Sequence, residues 1–379
     1  MTDKNILQGS ELAILYSQGK EAWNFWAKNN PGARVRFSAT GFGSAEEFAG
    51  YVFPGDVDFY ACRFTKDVDF SAAKFYGEAK FSNCIFDYDA VFENAKFEGE
   101  VSFFKAKFEG SAEFHNARFA KECSFSNSVF KGTADFTETT FLGITHFLSV
   151  RLDGTDGISF GAARFFDEAL FQGAKLEGPV NFERAQFLYV PDFRRTNFSA
   201  HFTLHEINIY NQKDDTDLGS LEDRFRRLKE LAKSAEDHEN EISFLKGELE
   251  SKARFSQKKS EKLWVWGYST FSDYGRSVIR PFFTLLGNLL GFSFIYWIIA
   301  LFFPLNPDAS FWDSLKVSSA IVIPFGSLSR TVFQKSGPFE QLFGTEPSLL
   351  VYFAGAVEGI ISIALIFLIG LALRNRFRI

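Results

Sequence analysis

Phenylalanine punctuates the chain at intervals that match neither helix nor strand. From Phe37, Phe42, Phe48, Phe53, Phe59 and Phe64 onward to Phe147, successive rings are separated by 5 and 6 residues in strict alternation, so the true repeat is 11. Leu152 continues the series. A gap of 8 then leads to Phe160, and the rhythm resumes through Leu176 to Phe198 before fading at Leu204 and Ile209. An amphipathic helix places apolar residues every 3.6 positions and a half-buried strand every 2. Intervals of 5 and 6 fit a solenoid in which each short segment forms one side of a coil. Two residues before each ring sits a small or β-branched residue: Cys62, Ala73, Cys84, Ala95, Ala106, Ala117 and Ser128 in one set, Val57, Val68, Ala79, Ala90, Val101 and Ala112 in the other. Both slots point inward, because a large ring stacked on the next coil leaves room beside it only for a small side chain. The expected core column includes Phe81, Phe86, Phe92, Phe97, Phe103, Phe108, Phe114 and Phe119. Charged and polar residues between the slots, as in FENAKFEGEVS, face water. Two surplus residues within Asp153–Gly157 bulge out as a loop.

Outside this region the pattern changes. SELAILYSQGKEAWNFWAKNN reads as one amphipathic helix, with Leu12, Leu15, Trp23 and Trp26 covering the first coil, since the open end of a solenoid needs a cap. After Ile209, Leu221, Phe225, Leu228, Ala232 and Ala235 follow helical spacing, and Ile242, Leu245 and Leu249 mark a second helix. Glu222 with Arg226 and Asp223 with Arg227 are spaced for i,i+4 ion pairs. Pro281 to Phe303 holds 23 residues without a charge, and Ser348 to Leu373 holds 26 with one, Glu358. Each is long enough to cross about 30 Å of hydrocarbon.

Positive charge flanks both spans on the same side: Arg276 and Arg280 before the first, Arg374, Arg376 and Arg378 after the second. The positive-inside rule therefore puts both termini, and the solenoid with them, in the cytoplasm of a cell whose inner membrane holds the spans. Trp264, Trp266, Tyr268 and Tyr274 read as an interfacial stretch at headgroup level. Between the spans, SLKVSSAIVIPFGSL is too short to cross. It reads either as a re-entrant helix with a filter-like turn at Pro324, Phe325 and Gly326, carrying Ser318 and Ser319, or as an amphipathic helix lying on the outer surface. Glu358, counted from Arg374, falls close to the outer interface, where a carboxylate at the mouth of a pore costs little.

The chain thus divides into a capping helix (1–36), a solenoid (37–210), a charged helical hairpin and linker (211–262), an interfacial segment (263–280), a first transmembrane helix (281–303), an outer loop (304–347), and a second transmembrane helix with a basic C-terminus (348–379).

Composition sharpens this picture. There are 50 Phe against 11 Tyr and one Met, as expected when one slot is repeated many times. The first twenty residues hold no long apolar core, so no signal peptide is expected. The rhythm from Phe37 to Ile209 resembles the pentapeptide-repeat family, in a Phe-rich form with one residue added to every second pentapeptide. Gly19, Trp23, Asn24 and Trp26 are similar to the helix that often precedes such repeats. LFGTEP…LIGLALRNRFRI resembles the end of a group of bacterial pentapeptide-repeat membrane proteins. The resemblance implies a right-handed quadrilateral β-helix, joined by a helical linker to an α-helical transmembrane hairpin. Four sides make 22 residues per coil and about eight coils, roughly 35–40 Å at ~4.8 Å each. Cys62 and Cys84 then stack on neighbouring coils, within disulfide reach. The reducing cytoplasm favours free thiols.

No catalytic constellation stands out, and no cofactor or metal site is expected. The three Cys form no ligand pair, the five His are scattered, and neither a nucleophile motif nor a phosphate loop is present. Between Phe37 and Tyr210, 25 Asp/Glu face 16 Lys/Arg, which disfavours nucleic-acid binding. Three functions remain. Helix, short re-entrant helix and helix is the plan of two-transmembrane ion channels, though no TVGYG-type filter is present. Such a pore needs a homo-oligomer, most simply a tetramer, with the solenoid as sensor or assembly domain. A membrane-tethered scaffold would present the solenoid to a cytoplasmic protein partner. A DNA-mimicking topoisomerase binder, as other pentapeptide-repeat proteins are, is the third.

Overall fold

The computed structural model describes residues 6–154, 156–198, 201–211, 220–302, 309–323 and 327–377. They form two compact units, one up to Ser251 and one from Lys252.

The first unit is a quadrilateral β-solenoid. Short strands, most of two residues, stack into four parallel sheets of eight strands each among the described residues. Residues 22 apart pair directly, as in Ala79 with Val101 and Lys96 with Arg118. Every Phe of the expected core column is buried, and so are the small residues two positions before them. Rings of one column lie parallel: Phe81 is 4.8 Å from Phe103 with planes 6° apart, and Phe92 is 4.8 Å from Phe114 at 1°. Across the interior, Phe81 and Phe92 meet edge to face at 5.5 Å and 85°. Both geometries are those that the aromatic quadrupole favours.

The 5/6 alternation has its cause in the corners. Each 5-residue interval turns through one residue in the left-handed region, such as Asn83, Asn94, Asn116 and Asn127, with φ between 53° and 59°. Asn tolerates this conformation better than most residues. Each 6-residue interval turns through its extra residue, and there the coils approach closely. A Cβ on Gly99 would lie 2.1 Å from the Gly77 carbonyl oxygen. The surplus between Leu152 and Ile158 is absorbed at one such corner. Ala134 pairs with Ile158, 24 residues on, Ile158 pairs with Val180 at the usual 22, and Phe136 stacks on Phe160 at 5.1 Å without interruption.

The N-terminal cap differs from the single helix expected. Ile6–Gln8 is a strand that extends one sheet by pairing with Arg34–Arg36. Two helices follow, α1 (Gly9–Ser17) and α2 (Lys20–Asn29), separated at Gly19, whose φ of 85° ends helical continuity. Trp23 is fully buried, and its indole donates to the Val52 carbonyl at 2.8 Å. Asn24 donates to the Gly50 carbonyl and accepts from the Val52 amide. This dipeptide therefore closes a backbone edge of the first coil.

The other end is covered by α3 (Ser220–Ser234) and α4 (His238–Phe255). Leu221, Phe225, Leu228 and Ala232 of α3 are buried as expected, whereas α4 buries Phe244, Gly247, Glu248 and Ser251 and leaves Ile242, Leu245 and Leu249 half-buried. The reason is shape: Phe225 packs so closely that a Cβ at Gly247 would lie 2.4 Å from its ring. Arg226 takes both acids of the first turn, Glu222 and, at 2.7 Å, Asp223, while Arg227 turns to Glu230 at 3.3 Å. The expected Asp223–Arg227 pair does not form.

The second unit is helical: α5 (Lys259–Ser272), α6 (Ile279–Phe302), α7 (Phe311–Val322), α8 (Ser327–Phe333), α9 (Pro338–Phe343) and α10 (Leu349–Arg376). Helices α6 and α10 are 24 and 28 residues long with mean hydropathies of 2.0 and 2.5, enough to cross a membrane by length and composition. The expected boundary at residue 263 falls inside α5. Trp264 and Trp266 are exposed there, but Tyr274 is buried, its ring 5.5 Å from that of Tyr268.

Candidate functional site

The polar side chains of the second unit converge between its helices. Along α6, Asn288, Ser293 and Tyr296 recur at intervals that keep them near one face, and along α10 Glu358 and Ser362 are one turn apart. Glu358 has no solvent exposure. Tyr296 Oη donates to its Oε2 at 2.7 Å, and the Ser318 hydroxyl bonds its Oε1. Ser318 Oγ also lies 3.0 Å from the Leu289 carbonyl oxygen. One serine on α7, its single hydroxyl proton shared between these two acceptors, thereby links both long helices. One turn along, Asn288 Nδ2 donates to Ser362 Oγ at 3.0 Å. An unpartnered charge in hydrocarbon is costly, and here two hydroxyls partner the carboxylate.

Helix α7 is held in place by small residues. Ser314, Val317, Ser318 and Ala320 are buried, and Ser310 caps the helix by accepting from the Trp312 amide. Trp297 of α6 donates to the Ala309 carbonyl at 3.0 Å, fixing the approach to α7. Ser319 is half-buried and bonds its own helix at the Leu315 carbonyl, away from Glu358. Pro324, Phe325 and Gly326 lie outside the described residues, as does Arg378. Arg276, Arg280, Arg374 and Arg376 are exposed at the ends of the two long helices. Tyr296, Asn288 and Ser362 went unnoticed in the sequence. Their signal was the spacing of polar groups within otherwise apolar helices, eight residues from Asn288 to Tyr296 and four from Glu358 to Ser362, which marks an inward face.

The first unit offers a second polar cluster. Asp192 is fully buried in the last complete coil, ion-paired to Arg194 at 2.7 Å and Arg224 at 3.5 Å, with Gln172 as a further donor. Burial pushes its carboxyl up, but the donors Arg194 and Gln172 and the charge of Arg224 outweigh it and hold the group below the usual aspartate value. Arg224 also reaches the Val190 carbonyl and Glu168, so the cluster fastens α3 to the solenoid. Beside it a cleft of about 520 Å³ is lined by Arg194, Arg195, Arg226 and Arg227 together with Asp223 and Glu230. Three of these arginines are ion-paired to acids of the same region. No group of three His, Cys, Asp or Glu placed to hold a metal occurs among the described residues.

Residues 48–90, 59–107 and 103–151 match the family model for pentapeptide repeats (9 copies). No curated protein and no solved structure matches the chain. The matched stretch coincides with the coils whose Phe columns and 22-residue pairing are described above. Residues 48–151 are thus a pentapeptide-repeat solenoid, carried in one chain with two helices of membrane-spanning length.

Proposed function

We propose that this is an oligomeric, channel-like protein of the inner membrane, with both termini and the solenoid cytoplasmic and the solenoid acting in sensing or assembly. The observation that carries the reading is α7: a helix of 12 residues between two membrane-length helices, tied to both through Ser318, Leu289 and Glu358. A short helix after the first long one is also part of the plan of two-transmembrane channels; here α8 and α9 follow it before the second. Glu358 serves as the latch that fixes the short helix.

A membrane-tethered scaffold is favoured by a different feature. From Pro281 to Phe302 and from Leu349 to Leu373, the exposed residues are apolar, Gly or Ala, with Tyr352 the one exception. Such a surface suits lipid, which is all that an anchor requires, and offers no polar wall to a water-filled pore.

Light scattering of the full chain in several mild detergents, corrected for bound detergent, separates the two. A closed ring of four or more, with bilayer currents altered in Glu358→Gln and Gly326→Ala, is the expected result. A stable monomer or dimer, or currents unchanged in both variants, moves the assignment to the scaffold.

A further inference from the structure

The four sides of the solenoid do not carry charge alike. On the side built from Glu46–Glu47, Val68–Asp69, Ala90–Val91, Ala112–Glu113 and Ala134–Asp135, outward carboxylates stack coil upon coil: Glu47 pairs with Asp69, and Glu113 with Asp135. Asp89 and Glu93 flank the gap left by Val91. No Lys or Arg lies on this side between Glu47 and Asp135. The crowding is felt at Glu113, whose carboxyl is pushed up first by partial burial and then by Glu93, Asp89, Asp135 and Asp69.

The next side round the coil carries the opposite sign along its strand ladder, with Glu98 the one acid on this side between Lys74 and Arg118, and Glu78 and Glu100 at its far corner. Lys74 pairs directly with Lys96, Lys96 with Arg118, and Thr140 separates these from Arg164. All four are exposed, and none forms an ion pair among the described residues. Like charges opposite one another on neighbouring strands destabilise a sheet. The stacked carboxylates and the stacked cations both carry that cost within one molecule.

We propose that the acidic side of one solenoid docks against the basic side of a second copy of this chain. The two sides are adjacent, joined at a corner, so repeating the contact turns each copy by about a quarter of a circle. Four copies then close into a ring with their long axes parallel to the four-fold axis. Rotation about that axis leaves height unchanged, so residues of one coil meet the same coil of the neighbour: Asp69 faces Lys74, Glu93 faces Lys96, and Glu113 faces Arg118. The corner brought to the axis is unobstructed over these coils, since it carries Ala72, Asn94 and Asn116, the two Asn bonded to each other at 2.8 Å. One coil further on, Glu138 would gather four carboxylates at the axis, so the contact ends there. Three coils make a small contact, and it relies on the high effective concentration of copies already held together in the membrane. It therefore rests on the oligomeric reading above and supplies its symmetry from the cytoplasmic side.

The test uses full-length protein from cells co-expressing two differently tagged copies, one carrying Glu113→Cys and the other Arg118→Cys. The native thiols are buried and do not interfere. Oxidation is expected to give a disulfide-linked dimer bearing both tags, and its yield is expected to fall at least tenfold when Lys74→Glu and Lys96→Glu are added to the Arg118→Cys copy. Ser102→Cys with Lys107→Cys places thiols in the same relation on the other two sides and is expected to give none. Equal yields from both pairs, or no linked dimer in a protein that light scattering shows to be oligomeric, would overturn the contact and leave the channel-like reading standing. A monomer in every detergent would remove both.

Discussion

At the scale of single residues, the small inward slot is the more demanding half of the repeat. Where it is polar, it must find a partner inside a ring-filled interior. Cys62, Cys84, Thr139 and Thr196 all solve this in the same way, donating to the carbonyl of a Phe on the previous coil at 2.7–3.1 Å. The expected free thiols thus have a structural use as donors. Burial pushes the Cys62 thiol up to about 11 and raises Cys84 and Cys123 as well, which keeps all three in the thiol form that can donate. Ser128 occupies the same slot, yet its hydroxyl is buried without a partner. Leaving a buried polar group unmade costs about 1–3 kcal/mol. Ser128→Ala is therefore expected to stabilise the solenoid by about 1 kcal/mol, seen as a higher urea midpoint at unchanged slope. A lower midpoint would show that the hydroxyl is satisfied in solution.

At the scale of elements, columns and caps respond differently to damage. Phe103 is sandwiched between Phe81 and Phe125 at 4.8 and 4.9 Å, so Phe103→Ala opens a cavity that neighbours on either side cannot fill. A cost of about 3–5 kcal/mol is expected. Phe108→Leu should cost much less, because Leu152 and Leu176 already occupy that column. Urea unfolding of both variants checks the order.

The C-terminal cap depends on charge instead. The folded Asp192 carboxyl titrates below its unfolded value, so its contribution is complete above the ordinary aspartate range, near 3.9, and is lost as pH falls through the lower folded value. Amide exchange of α3 is expected to accelerate on acidification below about pH 4, ahead of the middle coils. Asp192→Asn should expose α3 already at neutral pH, costing about 1.5–3 kcal/mol, because Arg194 loses its carboxylate and Glu168 alone is left to balance the buried Arg224. Equal protection of α3 in that variant would refute the role.

The contrast between column and cap also explains what the sequence revealed. The Phe rhythm states one fact some twenty times, so period and core could be read from it, while the four sides followed from the family that the rhythm resembles. The break at Gly19, the choice of Asp223 by Arg226 and the stripe buried by α4 are each stated once, and depend on which neighbour packs where. Glu358 drew notice as an intramembrane acid, but its partners depend on the rotation of α7, which short apolar runs do not encode.

At the scale of the whole molecule, the interior and the surface follow different periods. The core repeats every 11 residues, since every side offers a ring and a small residue. The surface repeats every 22, since only every fourth side carries the same charge. Pairing arithmetic in the sheets therefore makes a simple distinction between kinds of length change. Losing 22 residues from the middle, from Glu93 to Phe114 for example, shortens the stack by one storey and keeps acid above acid and base above base. Losing 11 is invisible to the core, because rings still fall on rings, but everything beyond the cut is turned to the opposite wall. Such a protein would fold normally with its two charged stripes severed midway. Natural or engineered variants of this chain should thus differ by whole turns where the walls matter, and by half turns only where they do not.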